Sequence, residues 1–263
     1  MDLLEAQARG VNTSERHPWE LARLGFIKRL IAGRVQPSPG DVVLDVGCGD
    51  VFVADELGAR YPHTTFYAVD TAFTDELIER SRRHLRANVF PSASLDRMTP
   101  PLGGQVSLVL LMDVIEHVPD DKGFLTDLAG RTFVGEETRF LIIVPAYQRL
   151  FCSHDVFLGH YRRYSPRMLR EHLEASGLTV IDEGSFFFSL LVARGLQVIK
   201  ERLFNADSDR ATSVATWSGG AVKTGLIKHL LLWDAAVSRA LKTVGVRLPG
   251  LSNYALCRTS VQL

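Results

Sequence analysis

The chain is poor in the features that mark several classes of protein. Its three cysteines, Cys48, Cys152 and Cys257, are widely separated and odd in number. They form neither a disulfide framework nor a paired CxxC zinc site, and a reducing, cytoplasmic setting is expected. Charge of one sign is also missing: 30 Lys and Arg balance 30 Asp and Glu. No global field then draws the chain to nucleic acid, and no nucleic-acid partner is expected. Long apolar runs are absent as well. The longest, 184–199, is interrupted by Arg194, whereas a membrane span needs roughly 20 apolar residues. Spanning is excluded; peripheral contact with a membrane stays open. The first residues, MDLLEAQARG, carry acids before any apolar run, unlike an export signal. There is no internal repeat and no low-complexity tract. With 46% hydrophobic and 23% charged residues over 263 positions, one large globular domain with extensions remains.

The apolar pattern alternates in period. Residues 1–39 read as a helical arm in which Trp19, Leu24, Ile27, Leu30 and Ile31 recur at helical spacing, stopped by QPSPG at 36–40. Short β-branched runs then alternate with amphipathic stretches. The spacing predicts strands at Asp41–Val46, Thr65–Val69, Val106–Met112 and Arg139–Val144, with a weak one before Ser94. Helices are predicted at Val51–Arg60, at Asp75–Ala87 capped by Thr74, and through Phe124 and Leu128. Parallel strands need crossovers, and crossovers cover the sheet, so the fold class is α/β, a doubly wound and mostly parallel sheet. A core of 40–185 is followed by a helical insertion, 186–250, with helices at Phe186–Phe204 and Leu226–Val244. A terminal strand, Asn253–Arg258, lies within 251–263.

Ligands of such sheets sit at the carboxyl ends of the strands, where the first turn must let backbone approach the bound molecule. Gly47 and Gly49 follow the first strand and suit that turn, with a helix N-terminus behind them for an anionic group. Asp70 ends the next strand, 21 residues past Gly49, where a carboxylate can accept both ribose hydroxyls. A nicotinamide dinucleotide would call for GxGxxG, but Phe52 stands at the third glycine position. A nicotinamide-dependent oxidoreductase is the alternative reading.

The segments VLDVGCGD (43–50), FYAVD (66–70), LLMDVIEHV (110–118) and LIIVPA (141–146) resemble, in order and spacing, the motifs of class I S-adenosylmethionine-dependent methyltransferases. The resemblance implies a seven-stranded Rossmann-like sheet and S-adenosyl-L-methionine as cofactor, with S-adenosyl-L-homocysteine as product. It implies that Asp45, Gly47, Cys48 and Gly49 surround the methionine part, Cys48 as a small packing residue and not a nucleophile. It places Asp70 at the ribose, Phe73 against the adenine and Asp96 at the adenine amino group, with Thr71 also among the cofactor-binding residues. Met112 and Asp113 then border the sulfonium. The chain departs from the family at Val51, where a third glycine of GxGxG is frequent.

Methyl transfer is an in-line displacement, so alignment and water exclusion matter more than a strong acid, and a base is needed only where the acceptor must lose a proton. Asp113, Glu116 and His117 would share a face if a helix followed the fourth strand, as a base or a metal site. The segment is similar to that of ubiquinone-pathway O-methyltransferases, where such residues can hold a divalent cation; no metal is expected here. The densest cluster follows the fifth strand: Tyr147, Cys152 to Asp155, and His160 to Ser165. His154 and His160, with His117, are the candidate bases, while Tyr147, Tyr161, Arg163 and Tyr164 are candidates for holding the acceptor. Trp19 in the arm would close over the site. The expected acceptor is a small molecule methylated at oxygen or nitrogen. The insertion could line a pocket, pack against a second subunit or touch a bilayer, and a non-catalytic scaffold using it is a further alternative.

Overall fold

A computed structural model describes residues 16–98, 105–204 and 217–260. Seven strands form one sheet: β1 (Val42–Val46), β2 (Thr65–Val69), β3 (Val89–Ser92), β4 (Leu108–Met112), β5 (Arg139–Pro145), β6 (Leu178–Phe186) and β7 (Ser252–Thr259). Their order is β3-β2-β1-β4-β5-β7-β6. All pairs are parallel except those of β7, which runs antiparallel to both β5 and β6. β1, β4 and β5 lie inside the sheet with helices on both faces, which is why they read as unbroken apolar runs instead of alternating ones.

The arm is helix α1 (Pro18–Arg34), opened by His17 as N-cap and Pro18 at its first position. α2 (Phe52–Arg60) and α3 (Asp75–Arg82) follow β1 and β2. α3 stops short of the predicted Ala87. It buries no residue, and Arg86 turns away to Asp55 on α2, which accepts its backbone N–H at 3.0 Å. α4 (Asp121–Ala129), the short α5 (Ser153–Phe157) and α6 (Pro166–Ala175) precede β6, which continues to Phe186. Its second half is polar, and ladder bonds to β7 hold it in place of an apolar pattern. The insertion holds α7 (Phe188–Phe204) and α8 (Gly220–Thr243), the latter starting earlier than Leu226. Positions 205–216 between them lie outside the described residues.

One face of the sheet is covered by α1, α2 and α8, the other by α4 and α6. α1 packs tightly on α8: a methyl group added at Gly25 would stand 2.8 Å from Leu232. Phe26 stacks on Phe186 with ring centroids 4.1 Å apart. Burying such a side chain contributes roughly 1.5–3 kcal/mol. The arm is thereby joined over the sheet to the end of β6 and to α8, and is laid above the first turn.

Candidate active site

β1 leads into a turn in which Gly47 and Gly49 take positive φ (+67° and +59°). Gly47 also has no room for a side chain, since a Cβ there would lie 2.7 Å from Val114. Its N–H and that of Cys48 donate to the Val69 carbonyl, at 2.8 and 3.1 Å. Asp70 completes the turn: its carboxylate accepts from the Gly49 N–H at 2.9 Å and the Ala72 N–H at 3.0 Å. Val51 adopts φ +63° as the N-cap of α2. That is the conformation a glycine takes freely and a β-branched residue rarely does, which accounts physically for the glycine so often found there in the resembled family. Cys48 is buried, its thiol pushed up by that burial, as suits a packing residue.

Above the turn lies a cleft roofed by α1 and lined by Trp19, Arg23, Asp45, Gly47, Cys48 and Met112 among others. Two of these carry unsatisfied polar groups. Asp45 is 1% exposed and neither carboxylate oxygen has a hydrogen-bond partner. Burial, reinforced by Asp70 and Asp50 and opposed by Arg23, raises it to about 7. Arg23 pairs with Asp113 and lies over the Trp19 ring at 5.3 Å, yet its Nε and Nη2 are buried without partners. Unpaired buried polar groups are costly and point to a ligand. A carboxylate and a guanidinium edge beside one turn match the ammonium and carboxylate of an amino-acid moiety, and the chemistry of the donor set fits the methionine end of S-adenosylmethionine. Arg23 was not anticipated from the sequence; its signal is a cation on the otherwise apolar face of the arm.

The structure redirects several predicted residues. Asp113 does not share a helical face with Glu116 and His117: it takes φ +56° and turns to Arg23, and only a 3₁₀ turn, Ile115–His117, follows. Asp96 is exposed and holds Arg131 at 2.9 Å. The end of β3 beside Asp70 is instead Ser92, whose carbonyl accepts the Asp70 N–H at 3.1 Å. Phe73 is buried in the core, and Thr71 is exposed next to Asp70. Tyr164 is wholly buried, its hydroxyl donating to Asp121 at 2.6 Å with the Ile115 carbonyl nearby at 3.1 Å. Arg163 is buried on Asp155 and leaves no face for an acceptor. Tyr161 is exposed, while Tyr147 holds φ +60° and is half-buried.

The cluster after β5 forms a network around Asp155, which sequence spacing did not single out as its centre. Asp155 is wholly buried and accepts from His160 Nδ1 at 2.8 Å, Arg163 Nε at 2.7 Å and the Cys152 N–H at 3.0 Å. Burial opposes its ionisation, but the hydrogen bond from His160 and the charge of Arg163 outweigh that and hold its carboxyl well below the usual range. The His160 ring meets that of His117 edge-on at 4.6 Å. Glu116, 0% exposed and without a hydrogen-bond partner on either oxygen, stands beside them. Burial first, then the charge of Asp113, raises it well above an ordinary carboxyl. One ligand atom each from Glu116, His117 and His160 fall within 4.8 Å of one another. His154 is lowered to about 4 by burial and by Arg194.

A methyltransferase-domain family matches residues 20–183. A ubiquinone biosynthesis O-methyltransferase of Sinorhizobium fredii is 26% identical over 203 residues, covering 66% of this chain and 77% of the relative. One from Rhizobium etli is 27% identical over 198 residues, with the same coverage. Among solved structures, coclaurine N-methyltransferase bound to N-methylheliamine and S-adenosylhomocysteine superposes with a TM-score of 0.54 at 16% identity, over 91% of this chain and 70% of that one. The [4+2]-cyclase SpnF superposes at 0.53 and 15% identity, over 98% and 92% of the two chains. These two likenesses show the fold, which a cyclase also uses. The matched segment holds most of α1, the glycine turn, Asp70 and the Asp155 network, and the chain belongs to the methyltransferase-domain family.

Proposed function

We propose that this protein transfers the methyl group of S-adenosyl-L-methionine to an oxygen or nitrogen of a small molecule. The observation that carries the reading is the pair of unsatisfied buried groups, the Asp45 carboxylate and the free edge of Arg23, beside a glycine turn clamped by Asp70. The bound cofactor would supply an electrophilic methyl on a sulfonium. Asp45 would accept from its ammonium, Arg23 would donate to its carboxylate, and the lone pairs Asp70 keeps beyond its two backbone bonds would take the ribose hydroxyls. Trp19 and Met112 line the cleft, where apolar side chains would help to exclude water around the bound cofactor.

The base of this reading is His160. Asp155 accepts its Nδ1–H, which leaves Nε2 as the acceptor and fixes the ring. The proton taken from the acceptor passes to Nε2, and the buried Asp155 carboxylate stabilises the imidazolium that results. His154, lowered to about 4, holds a proton too weakly to serve as well. Glu116, whose ionisation is opposed by burial and by the charge of Asp113, stands beside His117 and His160. This scheme requires no metal.

A calorimetric titration with S-adenosylmethionine and with NAD tests the cofactor. Binding of the first alone supports the proposal; binding of NAD alone overturns it in favour of an oxidoreductase. Release of S-adenosylhomocysteine over a panel of phenols, amines and carboxylates then tests catalysis, and binding without turnover favours the scaffold reading.

A further inference from the structure

Four apolar residues of α7, Val192, Leu196, Ile199 and Leu203, are separated by steps of four, three and four, so they form one stripe along the helix. On α8, Leu226, Leu230 and Trp233 repeat that pattern. All seven lie in the open, from 49% exposed at Val192 to 72% at Leu203. Apolar stripes of this kind on exposed helix faces mark an interaction site. Neither helix is long and apolar enough to cross a membrane.

Charge selects the occupant. The two helices carry seven Lys and Arg against two Asp and Glu, although the whole chain is neutral; Lys242 is turned to Asp182 and Arg194 to Cys152, which leaves five basic residues against two acidic ones. Lys200 lies one turn from Leu196 and Lys223 one turn before Leu226, both exposed at the margin of the stripes. A second copy laid stripe against stripe would oppose these like charges. A surface of anionic lipid headgroups would instead attract them while its acyl boundary took up the leucines, and a tryptophan between apolar and wet surroundings suits that boundary. We infer that the exposed faces of α7 and α8 dock this protein on the surface of an anionic lipid bilayer.

The test is flotation of the full chain with vesicles of phosphatidylcholine alone and of phosphatidylcholine mixed with phosphatidylglycerol. The protein is expected to float with the mixed vesicles only and to be released by salt. Two double variants, Leu196→Ser with Leu226→Ser and Lys200→Glu with Lys223→Glu, are each expected to lower the bound fraction by about tenfold or more. All four side chains are exposed, and circular dichroism confirms that the variants fold. No flotation with the mixed vesicles, equal flotation with both kinds, or flotation that both variants leave unchanged overturns the inference. So does a dimer in sedimentation equilibrium that the leucine variant dissolves without any vesicle binding, which assigns the stripes to a second copy.

Discussion

The backbone N–H of Gly49 donates to the side chain of Asp70 at 2.9 Å, joining the turn after β1 to the end of β2. One carboxylate thus shapes the turn and, in the proposed function, holds the cofactor sugar. Asp70→Ala is expected to weaken S-adenosylmethionine binding by about 1–3 kcal/mol, read by calorimetry. Asp70→Asn should lose less, since its amide oxygen still accepts from Gly49.

Val51 provides a test of strain. It is buried yet sits at φ +63°. Replacement by alanine removes packing and keeps the unfavourable backbone, whereas glycine gives up one further carbon and relieves the backbone. Val51→Gly is therefore expected to be more stable than Val51→Ala by about 1 kcal/mol, measured by urea unfolding. An alanine variant equal to or better than glycine would contradict the strain.

Asp45, raised to about 7 by burial, makes stability depend on pH. The folded state holds the proton more tightly than the unfolded one. Its contribution is then complete below about pH 4 and is lost as pH rises through about 7. In the ligand-free protein, Asp45→Asn should be more stable than the native chain above about pH 8, by up to about 4 kcal/mol, and similar to it near pH 4. The same variant should bind S-adenosylmethionine more weakly.

Asp155 acts in the opposite sense. Its carboxyl is held low by His160 and Arg163 against the cost of burial, so the stabilisation it supplies is present above about pH 4 and fades as pH falls further. Asp155→Ala leaves Arg163 buried and unpaired and is expected to cost about 3–5 kcal/mol in thermal or urea unfolding. With an acceptor in hand, Asp155→Asn should reduce kcat at unchanged cofactor KM. His160→Ala should lower turnover by about 100-fold or more.

Turnover is expected to survive chelation, because the proposed scheme relies on alignment and on His160. Loss of activity with a chelator, restored by magnesium or zinc, would give Glu116, His117 and His160 a metal-binding role in place of the one proposed.

The alternation of strands and helices, the glycine turn and Asp70 were legible in the sequence because each follows from local rules: strand and helix periods, the conformational freedom of glycine, and the length of one βα unit. The dense cluster at 147–165 was legible as a concentration of chemistry. Its internal roles were not. Tyr164 and Arg163 look like binding residues in one dimension, but burial against Asp121 and Asp155 gives them structural partners.

What the sequence by itself determined is therefore the sheet and the kind of turn at its centre, since backbone stereochemistry and apolar period decide these over a few residues. The tertiary structure alone decided that Arg23 from the arm meets Asp113 above the turn, that Asp96 faces Arg131 in place of the turn, and that His160 comes to lie against His117. Those partners are far apart along the chain, and only the packing of helices on the sheet determines which charges are buried together and which are left to water.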